Sequence, residues 1–222
     1  MDHAHELISG IRQDLTDAAD PARAPGQQAY MKSAMPFLGV RVPEVRRLAR
    51  ERVRGERDSA VLLDVAQCLW DDAGFREERY AALAVLGVRT LRGDLSLVPI
   101  IEHVVRTGQW WDFTDEVAHR VAELWAGHAP EMSFLVRTWS ADDDVWMRRL
   151  AIIAQLGRRG ALDRALLEEV IVPNLGDCEF FIRKAIGWAL RDAARTDPDW
   201  VRAFVAAHPL SPLSAREALR RL

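Results

Sequence analysis

Two cysteines, two lysines and no long apolar run set the outer limits of this 222-residue chain. Cys68 and Cys178 both fall in helical patterns and have no companions at metal-ligand spacing. They read as buried small hydrophobes in a reducing compartment, not as a disulfide scaffold. No apolar stretch reaches the ~20 residues that span a bilayer, so no membrane association is expected. The first residues, Met1-Asp2-His3-Ala4-His5-Glu6, lack the basic and apolar regions of a secretory signal, which makes the cytoplasm the expected location. The six histidines form no pair at metal-ligand spacing. There is no phosphate-cradling glycine loop and no Gly-x-Ser-x-Gly elbow. Metal, nucleotide-loop and covalent-nucleophile chemistry therefore have no candidate residues, and no cofactor is implied.

What is present is ordinary for a globular protein: 49% hydrophobic and 28% charged residues, enough for one domain spanning 1–222 with a large core. The formal net charge is −3, which argues at first against a nucleic-acid partner. The charge is uneven, however. Residues 1–136 carry 16 basic and 21 acidic side chains, and residues 137–222 carry 14 and 12. Between Arg41 and Arg57 there are seven arginines against Glu44, Glu51 and Glu56. With Lys32 and Lys184 the only lysines, nearly every cation is an arginine, a bias that a GC-rich genome also produces. A locally basic surface on an acidic protein is compatible with DNA binding without establishing it.

Almost every segment has a helical period, and no alternating strand pattern stands out. Helices are expected near 4–18, 26–35, 43–54, 58–71, 75–91, 95–106, 110–126, 130–139, 143–157, 161–173, 179–194, 198–207 and 213–221. Pro43, Pro130 and Pro198 sit where first-turn prolines belong, and Ser214-Ala215-Arg216-Glu217 has the spacing of a capping box. Val145–Ile152 and Phe180–Gly187 match in character 35 residues apart. One further step back from Trp146 lands on Trp111, and Arg79-Tyr80-Ala81-Ala82 keeps the register. Helix pairs at this interval describe an all-α, HEAT-like α-solenoid whose inner helices line a concave surface.

Three helix faces do not fit a simple core. At about 100° per residue, Trp110, Phe113, Val117, Val121, Leu124 and Trp125 form a buried stripe. Trp111 and Asp115 share a second face beside the small residues Ala118 and Ala122, which suggests a cleft; a packed indole and a solvated acid is the bland alternative. In 179–194, Trp188 stands off the stripe of Phe181, Ile182, Ala185, Ile186 and Ala189. It is flanked by Lys184 and Arg191, with Gly187 open to the close approach of a backbone or a base. Packing under a neighbouring helix, with Arg191 stacked on the ring, is the other reading. Arg149 projects from an apolar face and needs an acid or a phosphate; both an ion pair, with Asp115 a candidate partner, and a phosphate contact satisfy it.

Taken together, Tyr30-Met31-Lys32, Pro36-Phe37-Leu38-Gly39-Val40, Trp110-Trp111-Asp112 with Asp115, Trp146-Met147-Arg148-Arg149, Phe180 through Arg191, and Pro212 through Ala218 closely resemble the bacterial AlkD-like DNA alkylation-repair glycosylases. The resemblance runs from about Tyr30 to the C-terminus in the same order. It implies a HEAT-like solenoid that cradles double-stranded DNA and excises positively charged purines alkylated at N3 or N7, without flipping the lesion into a pocket. It carries the catalytic aromatic–acid–aromatic set onto Trp111, Asp115 and Trp188, and the DNA-cleft positions onto Tyr30, Arg149 and Arg191. Lys32, Lys184 and Arg216 lie in the same matching blocks and are expected to contact DNA. The expected partner is alkylated duplex DNA, bound by a monomer near the nucleoid with neither cofactor nor metal. A non-catalytic DNA-binding solenoid and a protein-interaction scaffold are the competing readings.

Overall fold

A computed structural model describes residues 3–222. Among them there are thirteen α-helices and no strand. The chain packs as two compact units whose boundary falls after Ile100.

The first unit contains α1 (His3–Asp17), α2 (Ala24–Met31), α3 (Val42–Arg52), α4 (Ser59–Asp71) and α5 (Arg76–Leu86). The boundary falls inside α6 (Leu97–Gly108). The second unit contains α7 (Trp111–Leu124), α8 (Ala129–Ser140), α9 (Val145–Ile153), α10 (Arg164–Ile171), α11 (Phe180–Ala193), α12 (Pro198–Ala207) and α13 (Pro212–Ala218). All thirteen expected helices are present, with Pro43, Pro130 and Pro198 in their first turns. Several end earlier than periodicity indicates. Helix α2 stops at Met31 because Lys32 takes a left-handed conformation (φ 50°, ψ 39°) and its N–H donates to the Ala29 carbonyl. Helix α5 stops at Leu86, and a short 3₁₀ turn follows at Arg89–Leu91.

The repeat is real and its register is sharper than the sequence indicates. Helices α5, α7, α9 and α11 begin at Arg76, Trp111, Val145 and Phe180, in steps of 35, 34 and 35 residues. Because the middle step is 34, Trp111 aligns with Val145 and Phe180 at helix starts, and not with Trp146. In the second unit α7 packs on α9, α9 on α11 and α11 on α13, while α8 and α10 pack on α9 and on each other. This order is consistent with an α-solenoid. Polar bolts also tie one repeat to the next. Arg106 chelates Asp142 (3.1 and 2.6 Å), and Arg148 reaches Asp177 (3.0 Å). Asn174 Nδ2 donates to the Ser140 carbonyl, 34 residues away.

Two expectations fail here. Cys178 is exposed in the turn before α11 and Cys68 is half-buried, so neither is a buried core residue; both are free thiols. The capping box is not formed either. Ser211 caps α13 by accepting from Ser214 N (3.1 Å), and the Glu217 carboxylate turns away to cations on α11.

In the first unit, the Pro36–Val40 segment owes its shape to one buried acid. Glu77 is fully buried on α5 and accepts from the backbone N–H groups of Leu38 (2.9 Å), Gly39 (2.8 Å) and Val40 (3.1 Å). Gly39 sits at φ +91°, where a Cβ would lie 2.0 Å from the Asp20 carbonyl oxygen, so no larger residue fits. Substituting Glu77→Ala strands three inward-facing donors. Each stranded donor costs about 1–3 kcal/mol, so urea unfolding is expected to show a loss of at least about 3 kcal/mol. A loss below about 1 kcal/mol contradicts this role.

Candidate functional site

The site is built on the first turns of α7, α9 and α11. Gln109, just before α7, holds a left-handed backbone (φ 47°). Its side chain donates to Asp144 Oδ2 (2.8 Å) and to the Arg106 carbonyl (3.0 Å). Asp144 in turn caps α9 through Trp146 N (2.8 Å), so one carboxylate sets both helix starts. Three aromatic rings then lock the turns together. Trp110 packs on Trp146 (6.1 Å between centroids) and on Phe181 (5.7 Å), and Trp146 packs on Phe181 (4.9 Å). Phe113, Val117, Val121, Leu124 and Trp125 are buried as the stripe requires, whereas Trp110 is half-buried within the aromatic cluster. Ala118 is buried too, so it does not line an open face.

The ring cluster brings Asp115 and Arg149 together. Arg149 is only 4% exposed. Its Nε donates to Asp115 Oδ1 (2.9 Å) and its Nη2 to Oδ2 (2.9 Å), a two-pronged pair that a lysine cannot make. Its Nη1 donates to the Phe181 carbonyl (2.7 Å), and the guanidinium lies 5.9 Å from the Phe181 ring centre. Of the two readings of Arg149, the ion pair with Asp115 is present in the structure. Three of its five N–H groups are taken by α7 and α11.

Asp115 retains 16% side-chain exposure. Burial pushes its carboxyl above the usual aspartate range, and the Arg149 hydrogen bonds and charge offset that push only in part. Trp111, one turn earlier, is half-buried and has no ring partner among the described residues. A partly exposed acid of raised basicity, one turn from an indole with no ring partner among the described residues, can accept a proton or stabilise a cation.

On α11, Trp188 is half-buried, with Lys184 and Arg191 on its flanks. Neither cation stacks on the ring. Lys184 Nζ lies 3.1 Å from Glu217 Oε1, and Arg191 pairs with Glu217 Oε2. Gly187 does receive a close backbone, but it is the protein's own: a Cβ there would lie 2.5 Å from Glu217 Cβ and 3.0 Å from the Ser214 carbonyl oxygen. Arg216 is exposed on α13. Tyr30 (77% exposed) and Lys32 (exposed) belong to the first unit. Glu217 is the participant that sequence reasoning assigned to the wrong task. Its three-residue spacing from Ser214 suggested a local cap, while its partners lie 33 and 26 residues away on α11.

The sequence model of the family described as "DNA alkylation repair enzyme" matches residues 11–222. The chain belongs to that family. Its role therefore lies in DNA repair. A solved structure from Enterococcus faecalis, described as a predicted DNA alkylation repair enzyme, is 27% identical to the chain. It matches with a TM-score of 0.82, covering 92% of this chain and 96% of that one. No curated protein matches. Membership of the DNA alkylation repair family fits an acid held ready between helices, and it fits the lack of a membrane-spanning helix among the described residues.

The ion pair makes a stability claim with a pH signature. Substituting Arg149→Met leaves a buried carboxylate without its partner, which costs about 3–5 kcal/mol at pH 7. Losing the guanidinium raises the Asp115 carboxyl further. A carboxyl raised on folding favours the fold while protonated and opposes it once ionised. The variant's deficit is therefore expected to shrink as pH falls from 7 to 5, read by urea unfolding at both values. An equal deficit at both pH values contradicts the pairing as the cause.

Proposed function

We propose that this protein is a monofunctional DNA glycosylase, hydrolysing the N-glycosidic bond of positively charged N3- or N7-alkylated purines in duplex DNA. The observation that carries the reading is the Asp115 carboxylate, kept partly exposed and gripped through both oxygens by Arg149, one turn from Trp111. An N-alkylated purine is a good leaving group, because the bonding electrons that depart with it neutralise its charge. No deep pocket and no strong general acid are needed, and excision proceeds without flipping the base. The indoles of Trp111 and Trp188 attract the cationic base, each worth about 0.5–2 kcal/mol depending on desolvation.

As the glycosidic bond breaks, positive charge moves to the sugar as an oxocarbenium ion. Carboxylates stabilise this species in glycoside hydrolysis. Asp115 does so here, and it then takes the proton of the water that attacks the sugar carbon. Its raised basicity suits it to that transfer. Arg149 acts through Asp115: it fixes both oxygens and holds the acid against the ends of α7 and α11. Phosphates are met by exposed groups, with Arg216, Tyr30 and Lys32 the candidates, and by Lys184 and Arg191 to the extent that Glu217 leaves their charge free. The working form is a monomer of HEAT-like repeats.

The test is release of N7-methylguanine from methylated duplex DNA. Wild type is expected to release the base well above the buffer rate, and Asp115→Asn at least about 100-fold more slowly, the usual worth of a positioned general base. Equal release by the two proteins overturns the assignment. Duplex binding with no release by either leaves a DNA-binding protein that does not cut.

A further inference from the structure

Two arginines of this protein lie on tryptophan rings. The Arg79 guanidinium sits 4.6 Å from the Trp70 ring centre, and that of Arg158 sits 4.5 Å from Trp125. Trp188 has a cation on each side, four residues before and three residues after, both within reach along the helix. Yet neither Lys184 nor Arg191 covers it among the described residues. Both are drawn to one carboxylate, Glu217, which contacts Lys184 through Oε1 and Arg191 through Oε2. That carboxylate is 11% exposed, and its pKa lies below the ordinary glutamate range, chiefly through the Lys184 hydrogen bond. It stays ionised at neutral pH.

The backbone is arranged to put it there. Helix α13 approaches α11 so closely at Gly187 that any side chain would strike the Glu217 β-carbon and the Ser214 backbone. Ser214 Oγ donates to the Arg183 carbonyl (2.9 Å) and fixes the same crossing. Gly187, Lys184, Trp188 and Arg191 lie on one side of α11, and Glu217 enters that side between the two cations.

We infer that Glu217 is a specificity-determining positioning residue: by capturing Lys184 and Arg191 it keeps the protein's own cations off the Trp188 ring, leaving that face free for a cationic base. The inference rests on the glycosylase reading, in which Trp188 meets the alkylated purine. Its consequences are separable from that reading. Glu217 does not touch the base. It removes two internal competitors for the indole, and it cancels one of two positive charges that would otherwise favour any duplex, damaged or not.

The experiment compares wild type, Glu217→Gln and the triple variant Lys184→Met/Arg191→Met/Glu217→Gln. Affinity is measured for one duplex with and without a single N7-methylguanine, across a salt series, alongside base release. Glu217→Gln frees the two cations. Binding to the undamaged duplex is expected to tighten, with a salt slope steeper by about 1–2. Preference for the alkylated duplex is expected to fall roughly two- to fivefold, the worth of one partly exposed cation–π contact. In the triple variant, with no cations to capture, the preference is expected to return. A Glu217→Gln protein that keeps wild-type preference overturns the inference and leaves the glycosylase reading intact. A loss of preference that the triple variant does not restore overturns it as well, because Glu217 would then act through packing alone. Should Glu217→Gln melt well below wild type, Glu217→Asp takes its place, with a smaller loss expected and no loss contradictory. Absence of base release by wild type fails the glycosylase reading itself.

Discussion

An acid that must work cannot be fully buried, and one left in water is no stronger a base than any other aspartate. The Asp115–Arg149 pair resolves that conflict and organises the second unit around it. Arg149 is nearly inaccessible, which is costly unless its donors are satisfied. They are satisfied on three fronts: two carboxylate oxygens from α7 and one carbonyl from α11. One side chain on α9 thus joins three successive repeats at the acid proposed to react. The Phe181 ring lies beside the guanidinium, and burial away from water strengthens the pair. Arginine suits this position because a planar fork serves all three acceptors at once.

The remainder of the unit repeats the same device with less at stake. Arg106 with Asp142, Arg148 with Asp177 and Arg137 with Glu169 each bridge about one repeat. These pairs are more exposed, and solvent screening leaves each with little net stabilisation. Their value lies in register, since helix pairs that share only apolar surfaces can slide. The high arginine content noted at the outset therefore has a structural outlet. Many arginines that appear on paper as a basic surface are paired with acids of a neighbouring repeat, and the net charge says little about how much of the surface is available to phosphate.

Sequence periodicity located the helices and the repeat because both depend on local spacing. It placed Trp111 and Asp115 on one face and marked Arg149 as a charge in need of a partner. It did not choose between acid and phosphate for Arg149, because that choice depends on how α7 and α9 pack. The misreadings share this cause. Glu217 looked like a cap because its neighbours in sequence allow one, whereas its cations are on α11. Gly187 looked like an opening for a ligand, whereas α13 fills it. Cys178 looked helical because the apolar residues that follow it begin α11. Periodicity also hid the one-residue change of register at α7, where the left-handed turn at Gln109 sets Trp110 outside the helix and Trp111 at its start.

Asp115 carries two properties at once, a raised pKa and a place at the proposed reacting centre, and a rate measured against pH joins them. The decisive measurement is the pH dependence of N7-methylguanine release by wild type and Asp115→Asn, corrected for uncatalysed loss at each pH. Wild type should fall toward acid with a midpoint above the ordinary aspartate value of 3.8, while the residual rate of the variant shows no such limb. Parallel profiles for the two proteins would remove Asp115 from the chemistry and leave its ion pair with Arg149 a purely structural feature.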